Sequence, residues 1–311
     1  MSGSDLTRRQ AWLAAVRPQT LPAAAAPIVV GVGLAVADGV FAGGPALAAF
    51  VGAALIQVGT NLANDYYDAI QGADTDDREG FTRVTQAGLI EPERVKRAMW
   101  LTFAAAILVG AYLVYIGGVP ILVIGLLSVA SGIAYTGGPY PLGYHGLGDL
   151  FVFVFFGVIA VMGTYYVQAA AVVAAPLSTT IPPGTVTLAA FVASLPVAAV
   201  STNILVVNNI RDRREDMTTG KRTLAVRLGY RASRLQYVGL LALAYLVPLW
   251  FWLVAGFSPA VLLPLVTAPL AIRVSATVWH ETAGEHLNPA LERTGKLLAL
   301  YALLFAVGLA W

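Results

Sequence analysis

The sequence predicts an all-α fold: a polytopic membrane bundle of about nine transmembrane helices with its active site at the cytoplasmic face. Three observations carry this expectation. Of 311 residues, 58% are hydrophobic and only 12% charged, with a mean hydropathy of +0.74, whereas soluble domains carry about a quarter charged residues. The apolar residues gather in stretches of roughly 20, the length needed to cross a hydrocarbon core of about 30 Å. Lys and Arg fall in or beside alternate connections.

The stretches lie near 20–38, 44–66, 96–116, 119–136, 148–173, 187–210, 235–255, 258–279 and 295–311. The chain therefore reads as one integral-membrane domain over 1–311, with residues 1–16 as a cytoplasmic N-terminal segment. Met1 to Pro18 carries Asp5, Arg8, Arg9 and Arg17 and no small-residue cleavage site, so no removable signal peptide is expected. Nine spans put four basic groups on one side: Arg8 to Arg17, Arg78 to Arg97, Arg211 to Arg234, and Arg273, Arg293 and Lys296. The opposite connections, near 39–43, 117–118, 174–186 and 256–257, hold no Lys or Arg. Under the positive-inside rule the charged face is cytoplasmic and the C-terminus outside.

A net charge of +2 gives no reason to expect a nucleic-acid partner. The absence of cysteine excludes disulfides, thiolate ligands and a Cys nucleophile, and three scattered histidines argue against zinc.

Two polar segments stand out, each closing an apolar helix at the charged face. The first is Asn61-Leu-Ala-Asn64-Asp65-Tyr-Tyr-Asp68, running on to Asp74 and Asp76; the second is Asn208-Asn-Ile-Arg211-Asp212-Arg-Arg-Glu-Asp216, running on to Gly220-Lys221-Arg222-Thr223. Their likeness suggests an internal duplication, with the second and sixth helices equivalent. Residues three and four apart share a helix face, so Asn61, Asn64, Asp65 and Asp68 form one stripe and Asn208, Asp212 and Asp216 another. Acids one turn apart repel, and near a membrane they need a partner. Magnesium, which takes oxygen ligands and substrate phosphates, removes that conflict. Lys221, Arg222 and Arg227 follow the second stripe as fixed cations, so the pair reads as a magnesium-diphosphate site. A single Asp at a helix end is ordinarily just solvated; two such motifs on one face argue otherwise.

Tyr135 to Asp149, dense in Gly, Pro and Tyr, is either a lid over this site or a tight connection with interfacial tyrosines. Arg17 is read first as a topology anchor. Tyr165, Tyr166 and Gln168 fall toward the outer end of their helix and are expected to pack.

These motifs resemble those of the UbiA superfamily of intramembrane aromatic prenyltransferases, over nearly the whole chain from Arg17-Pro-Gln-Thr-Leu onward. The family's NDxxDxxxD stands here as Asn64-Asp65-Tyr-Tyr-Asp68, with Gly72 at the third acid and Asp74 two positions on. Its DxxxD stands as Asp212-Arg-Arg-Glu-Asp216, followed by Gly220-Lys221-Arg222-Thr223. The Gly72 departure is similar to the branch that prenylates 1,4-dihydroxy-2-naphthoate, as are Arg83-Val-Thr-Gln-Ala-Gly-Leu-Ile and the Tyr135–Asp149 segment; it leaves open whether Asp74 or Asp76 replaces the missing acid.

The resemblance implies transfer of a polyprenyl group from polyprenyl diphosphate to that acceptor with decarboxylation, giving demethylmenaquinone, with Mg2+ as cofactor and membrane lipid around the tail. It implies metal ligation by Asp68, Asp212 and Asp216 with Asn64 and Asn208. Lys221, Arg222 and Arg83 would grip the diphosphate, Asn61 and Asp65 would assist, and Tyr66, Tyr67, Tyr135 and Tyr140 would form an aromatic wall for the allylic cation. Another aromatic acceptor (4-hydroxybenzoate, homogentisate or a chlorin) would use the same diphosphate machinery. A cation-coupled transporter is the alternative from a different class, and it would place polar residues near the bilayer midplane.

Overall fold

Hydrocarbon offers the backbone no water to bond, so a spanning segment that is not part of a closed barrel must be a helix. The computed structural model describes residues 7–71, 84–135, 137 and 140–311, and among these there is no strand. The helices are α1 (Arg8–Val16), α2 (Leu21–Ala37), α3 (Gly43–Gln71), α4 (Pro92–Ala134), α5 (Gly148–Phe151), α6 (Ala160–Val173), α7 (Leu188–Arg211), α8 (Arg213–Thr218), α9 (Leu224–Leu253), α10 (Ala268–His280) and α11 (Gly284–Ala310). A π-helical stretch, Val152–Ile159, makes α5 and α6 one continuous rod, and a 3-10 stretch, Pro259–Thr267, leads into α10.

Among the described residues, eight helical runs are long and apolar enough to cross a membrane, against about nine expected. The difference lies in α4. Its 43 residues would measure about 65 Å at 1.5 Å per residue, twice the hydrocarbon thickness. At Gly118 the backbone leaves the helix (φ 70, ψ −156) and α4 folds back on itself, bringing Phe103 of its first half beside Gly132 of its second. Counted this way, the two apolar stretches read near 96–116 and 119–136 are two passes, and the described residues make nine.

α7 forms the axis of the bundle. In its apolar window 72% of residues are buried, against 17% for α4, which faces lipid. Small residues make this possible, because helices in lipid associate by close van der Waals packing rather than by a hydrophobic force. Where the π-helical stretch crosses α7, a Cβ on Gly157 would stand 2.1 Å from Ala198 Cβ. One core surrounds α7, with Val30 and Leu34 of α2, Tyr237 and Phe251 of α9, and Tyr301 and Phe305 of α11. A second joins α1, α3 and α4 through Leu62, Val95, Met99 and Phe103. At the end away from the motifs, Tyr165 donates to Asp38 Oδ2 (2.6 Å) and Tyr166 to the Gly117 carbonyl (2.8 Å), so both tyrosines pack the outer end.

The elbow of α4 sits against the 174–187 connection, where Val119 N–H donates to Ser178 O (2.9 Å). A Cβ on Gly118 would fall 1.8 Å from that same oxygen, at a φ that L side chains avoid. Gly118→Ala should therefore destabilise the hairpin by about 2 kcal/mol or more, read as a lowered thermal unfolding midpoint in detergent.

Candidate active site

The site begins at the turn between α1 and α2. Arg17 adopts a left-handed conformation (φ 53), uncommon for a residue with a Cβ, and Thr20 Oγ1 donates to its carbonyl (2.9 Å). This turn is fastened to α3 by amides. Asn61 Nδ2 donates to Val16 O (2.9 Å) and Thr20 Oγ1 (2.8 Å), and Gln57 Nε2 donates to Thr20 Oγ1 (3.1 Å) and Asn61 Oδ1 (3.2 Å). Two turns further along α3, Asp68 accepts a hydrogen bond from the Tyr144 hydroxyl.

The opposing wall comes from the end of α7. Arg211 is buried and spans both carboxylate oxygens of Asp212, Nε to Oδ1 at 2.6 Å and Nη2 to Oδ2 at 2.8 Å. It also donates to Asn208 Oδ1 (2.7 Å) and to Asn288 Oδ1 of α11 (2.7 Å). One turn of α8 later, Asp216 accepts from Thr223 Oγ1 (3.1 Å). Lys221 Nζ lies 4.8 Å from the Tyr144 ring centre, and the Arg222 backbone N–H donates to the Tyr144 carbonyl (2.8 Å). Behind this wall, Asn209 Nδ2 (3.4 Å) and Gln236 Nε2 (3.0 Å) donate to the buried Asp149.

Between the walls is a polar chamber of about 270 Å³, lined by Asn61, Asn64, Asp68, Asn208, Asp212, Asp216, Lys221, Arg17, Arg211 and Tyr144 among others. It adjoins an apolar groove of about 710 Å³ between α2, α3, α4 and the α5–α6 rod. Ala23, Thr60, Tyr135, Val152 and Phe156 line both. From there the groove reaches Tyr115 and Leu177 at the far end of the bundle and opens outward past the exposed Ile107, Leu122 and Leu126.

Several expected roles change. Asp65 is fully buried and spent on the connection before α4: it accepts from Val84 N (3.0 Å), Thr85 N (3.2 Å) and Thr85 Oγ1 (2.5 Å), with Arg17 Nη2 at 4.0 Å. In this structure it braces that connection and does not line the chamber. Asn61 touches the chamber, but its amide nitrogen is committed to the α1–α2 turn. Tyr67 packs edge-on against Tyr66 (5.1 Å), Tyr140 is exposed and stacked on His145 (3.6 Å), and Arg222 is exposed; none of the three lines the chamber. Arg83, Asp74 and Asp76 lie outside the described residues.

Sequence reasoning passed over Arg211, read as a topology charge although it adjoins Asp212, and Tyr144, one tyrosine of a segment rich in them. From that segment, Tyr135, Gly143 and Tyr144 line the chamber.

Among the described residues no three acidic or imidazole groups cluster closely enough to hold a metal unaided. The chamber instead offers single carboxylates and amide oxygens on facing walls. That fits magnesium, which keeps waters and takes one or two carboxylates together with substrate phosphates.

An acid- and cation-lined chamber with a lipid-facing apolar groove defines a membrane-embedded site for an amphiphile with an anionic head and a long hydrocarbon tail. The chain belongs to the UbiA prenyltransferase family, whose model matches residues 24–295, and it is a multi-pass membrane prenyltransferase. It is 38% identical to the 1,4-dihydroxy-2-naphthoate octaprenyltransferase of Escherichia coli (strain K12), covering 99% of this chain and 98% of that one. It is also 38% identical to the protein of the same name from Mycobacterium tuberculosis, covering 96% and 97%. Among solved structures it resembles a UbiA homolog from Aeropyrum pernix K1 (TM-score 0.68, 16% identity, 93% and 96% covered). It also resembles a UbiA homolog from Archaeoglobus fulgidus bound to DMAPP and Mg2+ (TM-score 0.58, 14% identity, 95% and 99% covered). Membership of an enzyme family, with polar groups at one end of the bundle rather than its middle, sets the transporter reading aside.

Asp65→Asn exchanges an acceptor for a donor facing the Val84 and Thr85 N–H groups. It should destabilise the protein by about 1–3 kcal/mol, seen as a lowered unfolding midpoint, while the Michaelis constant for prenyl diphosphate moves less than about threefold.

Proposed function

We propose that the protein transfers a polyprenyl group from polyprenyl diphosphate to 1,4-dihydroxy-2-naphthoate with loss of the carboxyl group, giving demethylmenaquinone in its reduced form. The observation that carries this reading is the junction of a charged chamber with an apolar groove spanning the bundle. The head of a prenyl diphosphate matches the first and its tail the second. The choice of acceptor rests on the 38% identity to naphthoate octaprenyltransferases along nearly the whole chain. The basic connections support a chamber at the cytoplasmic face and, with nine passes, a C-terminus outside.

Asp68, Asp212 and Asp216, with Asn64 and Asn208, are the residues that would hold magnesium. When bound, the ion supplies positive charge that stabilises the departing diphosphate. Lys221, Arg17 and Arg211 line the same chamber and contribute fixed charge of the same sign in a site of restricted water, where it counts for more. The allylic carbon–oxygen bond breaks and its electron pair leaves with diphosphate. A carbon–carbon bond to the ring forms, and the carboxyl group departs as carbon dioxide, its bonding pair returning to the ring. The allylic carbon sits between head and tail, hence at the junction lined by the aromatic side chains of Tyr135 and Phe156, a residue type that stabilises developing positive charge. The groove keeps the tail in an apolar lining continuous with lipid.

Detergent-purified protein supplied with magnesium, 1,4-dihydroxy-2-naphthoate and farnesyl or geranylgeranyl diphosphate should yield a prenylated, decarboxylated naphthoquinone by mass spectrometry, and none with EDTA. Product with 4-hydroxybenzoate or homogentisate alone would overturn the acceptor assignment. Asp68→Ala and Asp212→Asn should each lower turnover at least about 100-fold with the protein still monodisperse; near-wild-type rates would sink the metal-site reading.

The groove predicts a chain-length effect as well. Gly125 lines it midway along the second half of α4, with open space where a Cβ would stand. Gly125→Phe should lower kcat/KM for geranylgeranyl diphosphate at least about tenfold relative to geranyl diphosphate, measured by competition between the two.

A further inference from the structure

Three buried oxygens in the site have no hydrogen-bond partner among the described residues: Gln57 Oε1, Thr60 Oγ1 and Ser201 Oγ. Their residues are 7%, 7% and 3% exposed, and all three line the polar chamber. Gln57 and Thr60, three residues apart, share a face of α3, Gln57 one turn before Asn61 and Thr60 next to it in the chain, and Ser201 belongs to α7. Unpaired buried oxygens are costly, and the cost here was avoidable. Buried helical hydroxyls elsewhere in this bundle bond back along their own helix, Thr202 to Ala198 O (2.7 Å) and Thr294 to Ala290 O (2.8 Å), whereas Thr60 and Ser201 do not.

The bonding around Gln57 sets which kind of ligand atom it can meet. The Val16 carbonyl can only accept, so Asn61 must turn its nitrogen toward it and its Oδ1 toward Gln57. Thr20 spends its hydroxyl hydrogen on the Arg17 carbonyl and so accepts from both amides. Gln57 must therefore present Nε2 to this cluster, and Oε1 is left over as a pure acceptor. Diphosphate in its ionised form has no hydrogen to give it, and a hydrocarbon tail has none either. A phenolic hydroxyl has one. Thr60 lies where chamber and groove meet, beside the position the allylic carbon must occupy, which is where an acceptor ring has to be held.

We propose that Gln57, Thr60 and Ser201 bind the hydroxyl groups of the aromatic acceptor, with Gln57 Oε1 accepting a phenolic O–H, and that they select hydroxyarenes over ring compounds without a free hydroxyl. This assignment rests on the aromatic-acceptor reading above. It adds a specificity element, shared between α3 and α7, that is separate from the acidic residues of the two motifs.

The test is equilibrium binding by titration calorimetry on the detergent-purified full chain, using 1,4-dihydroxy-2-naphthoate, its 1,4-dimethoxy counterpart, and geranyl diphosphate with magnesium. Thr60→Val and Ser201→Ala remove no hydrogen bond within the protein and carry the test; Gln57→Leu, which also loses the bonds to Thr20 and Asn61, is read beside its unfolding midpoint. The dihydroxy ligand should bind about tenfold more weakly to Thr60→Val and to Ser201→Ala. The dimethoxy ligand should bind the unmodified protein at least about tenfold more weakly, and geranyl diphosphate should bind all forms alike. Unchanged affinity for the dihydroxy ligand in both variants, equal affinity for the dimethoxy ligand, or parallel weakening of geranyl diphosphate each overturns the assignment. Failure of the naphthoate reading looks different: the protein would prenylate another hydroxyarene, and the same variants would then be scored with that compound.

Discussion

Arg211 is the fixed cation around which the charged end of the bundle closes. Its guanidinium spans both oxygens of Asp212 and reaches Asn208 on its own helix and Asn288 on α11. A charge withdrawn from water is tolerable only when paired and fully hydrogen-bonded, and the planar fork of Arg can satisfy several oxygens at once where Lys offers a point charge. One side chain thereby sets the orientation of the second acidic motif and joins the end of α7 to α11. The first motif is set in the same manner from the other wall, Asp65 by the Val84–Thr85 connection and Asp68 by Tyr144. The acids are held before any ligand arrives, as electrostatic catalysis requires of groups that should not reorganise during reaction.

The second constraint is that a water-soluble head and a lipid-soluble tail must be bound at once. The bundle meets it by dividing labour among its helices. α7, packed on nearly every side, carries one wall of the chamber, while the α4 hairpin stands toward lipid and leaves the groove beneath it open. The π-helical stretch between α5 and α6 brings Val152 and Phe156 to the boundary of the two compartments. Such irregular turns in helices recur at functional sites, and here the irregularity falls where chamber meets groove.

Helical periodicity made the polar stripe on α3 legible but not the division of labour within it. At about 100° per residue, Asn64 and Asp65 stand at opposite edges of the stripe, with Asn61 and Asp68 between them. The pattern admits all four to a site. Only the neighbours decide: the chamber receives Asn64 and Asp68, the 84–85 connection claims Asp65, and the α1–α2 turn takes the amide of Asn61. The tyrosines follow the same logic. Tyr67 and Tyr140 look as suited to an aromatic wall as Tyr135, yet Tyr67 packs on Tyr66 and Tyr140 stacks on His145 in the open. Tyr144, indistinguishable from them by composition, is the one that reaches Asp68.

What the sequence determined by itself is whatever depends on short range: apolar stretches of membrane-spanning length, a connection near 117–118 between two of them, the placing of basic residues in or beside alternate connections, and two polar stripes at i+4 spacing. Those features follow from backbone hydrogen bonding in lipid and from helix geometry, which a local window of sequence contains. What only the tertiary structure decided depends on groups far apart in the chain. Asp68 meets Tyr144, Arg211 meets Asn288, Asp149 meets Gln236, and Gln57 and Thr60 share a chamber with Ser201. Each buried polar group must find a partner somewhere, but which partner, and which oxygen is left for a ligand, is settled by how nine passes pack side by side.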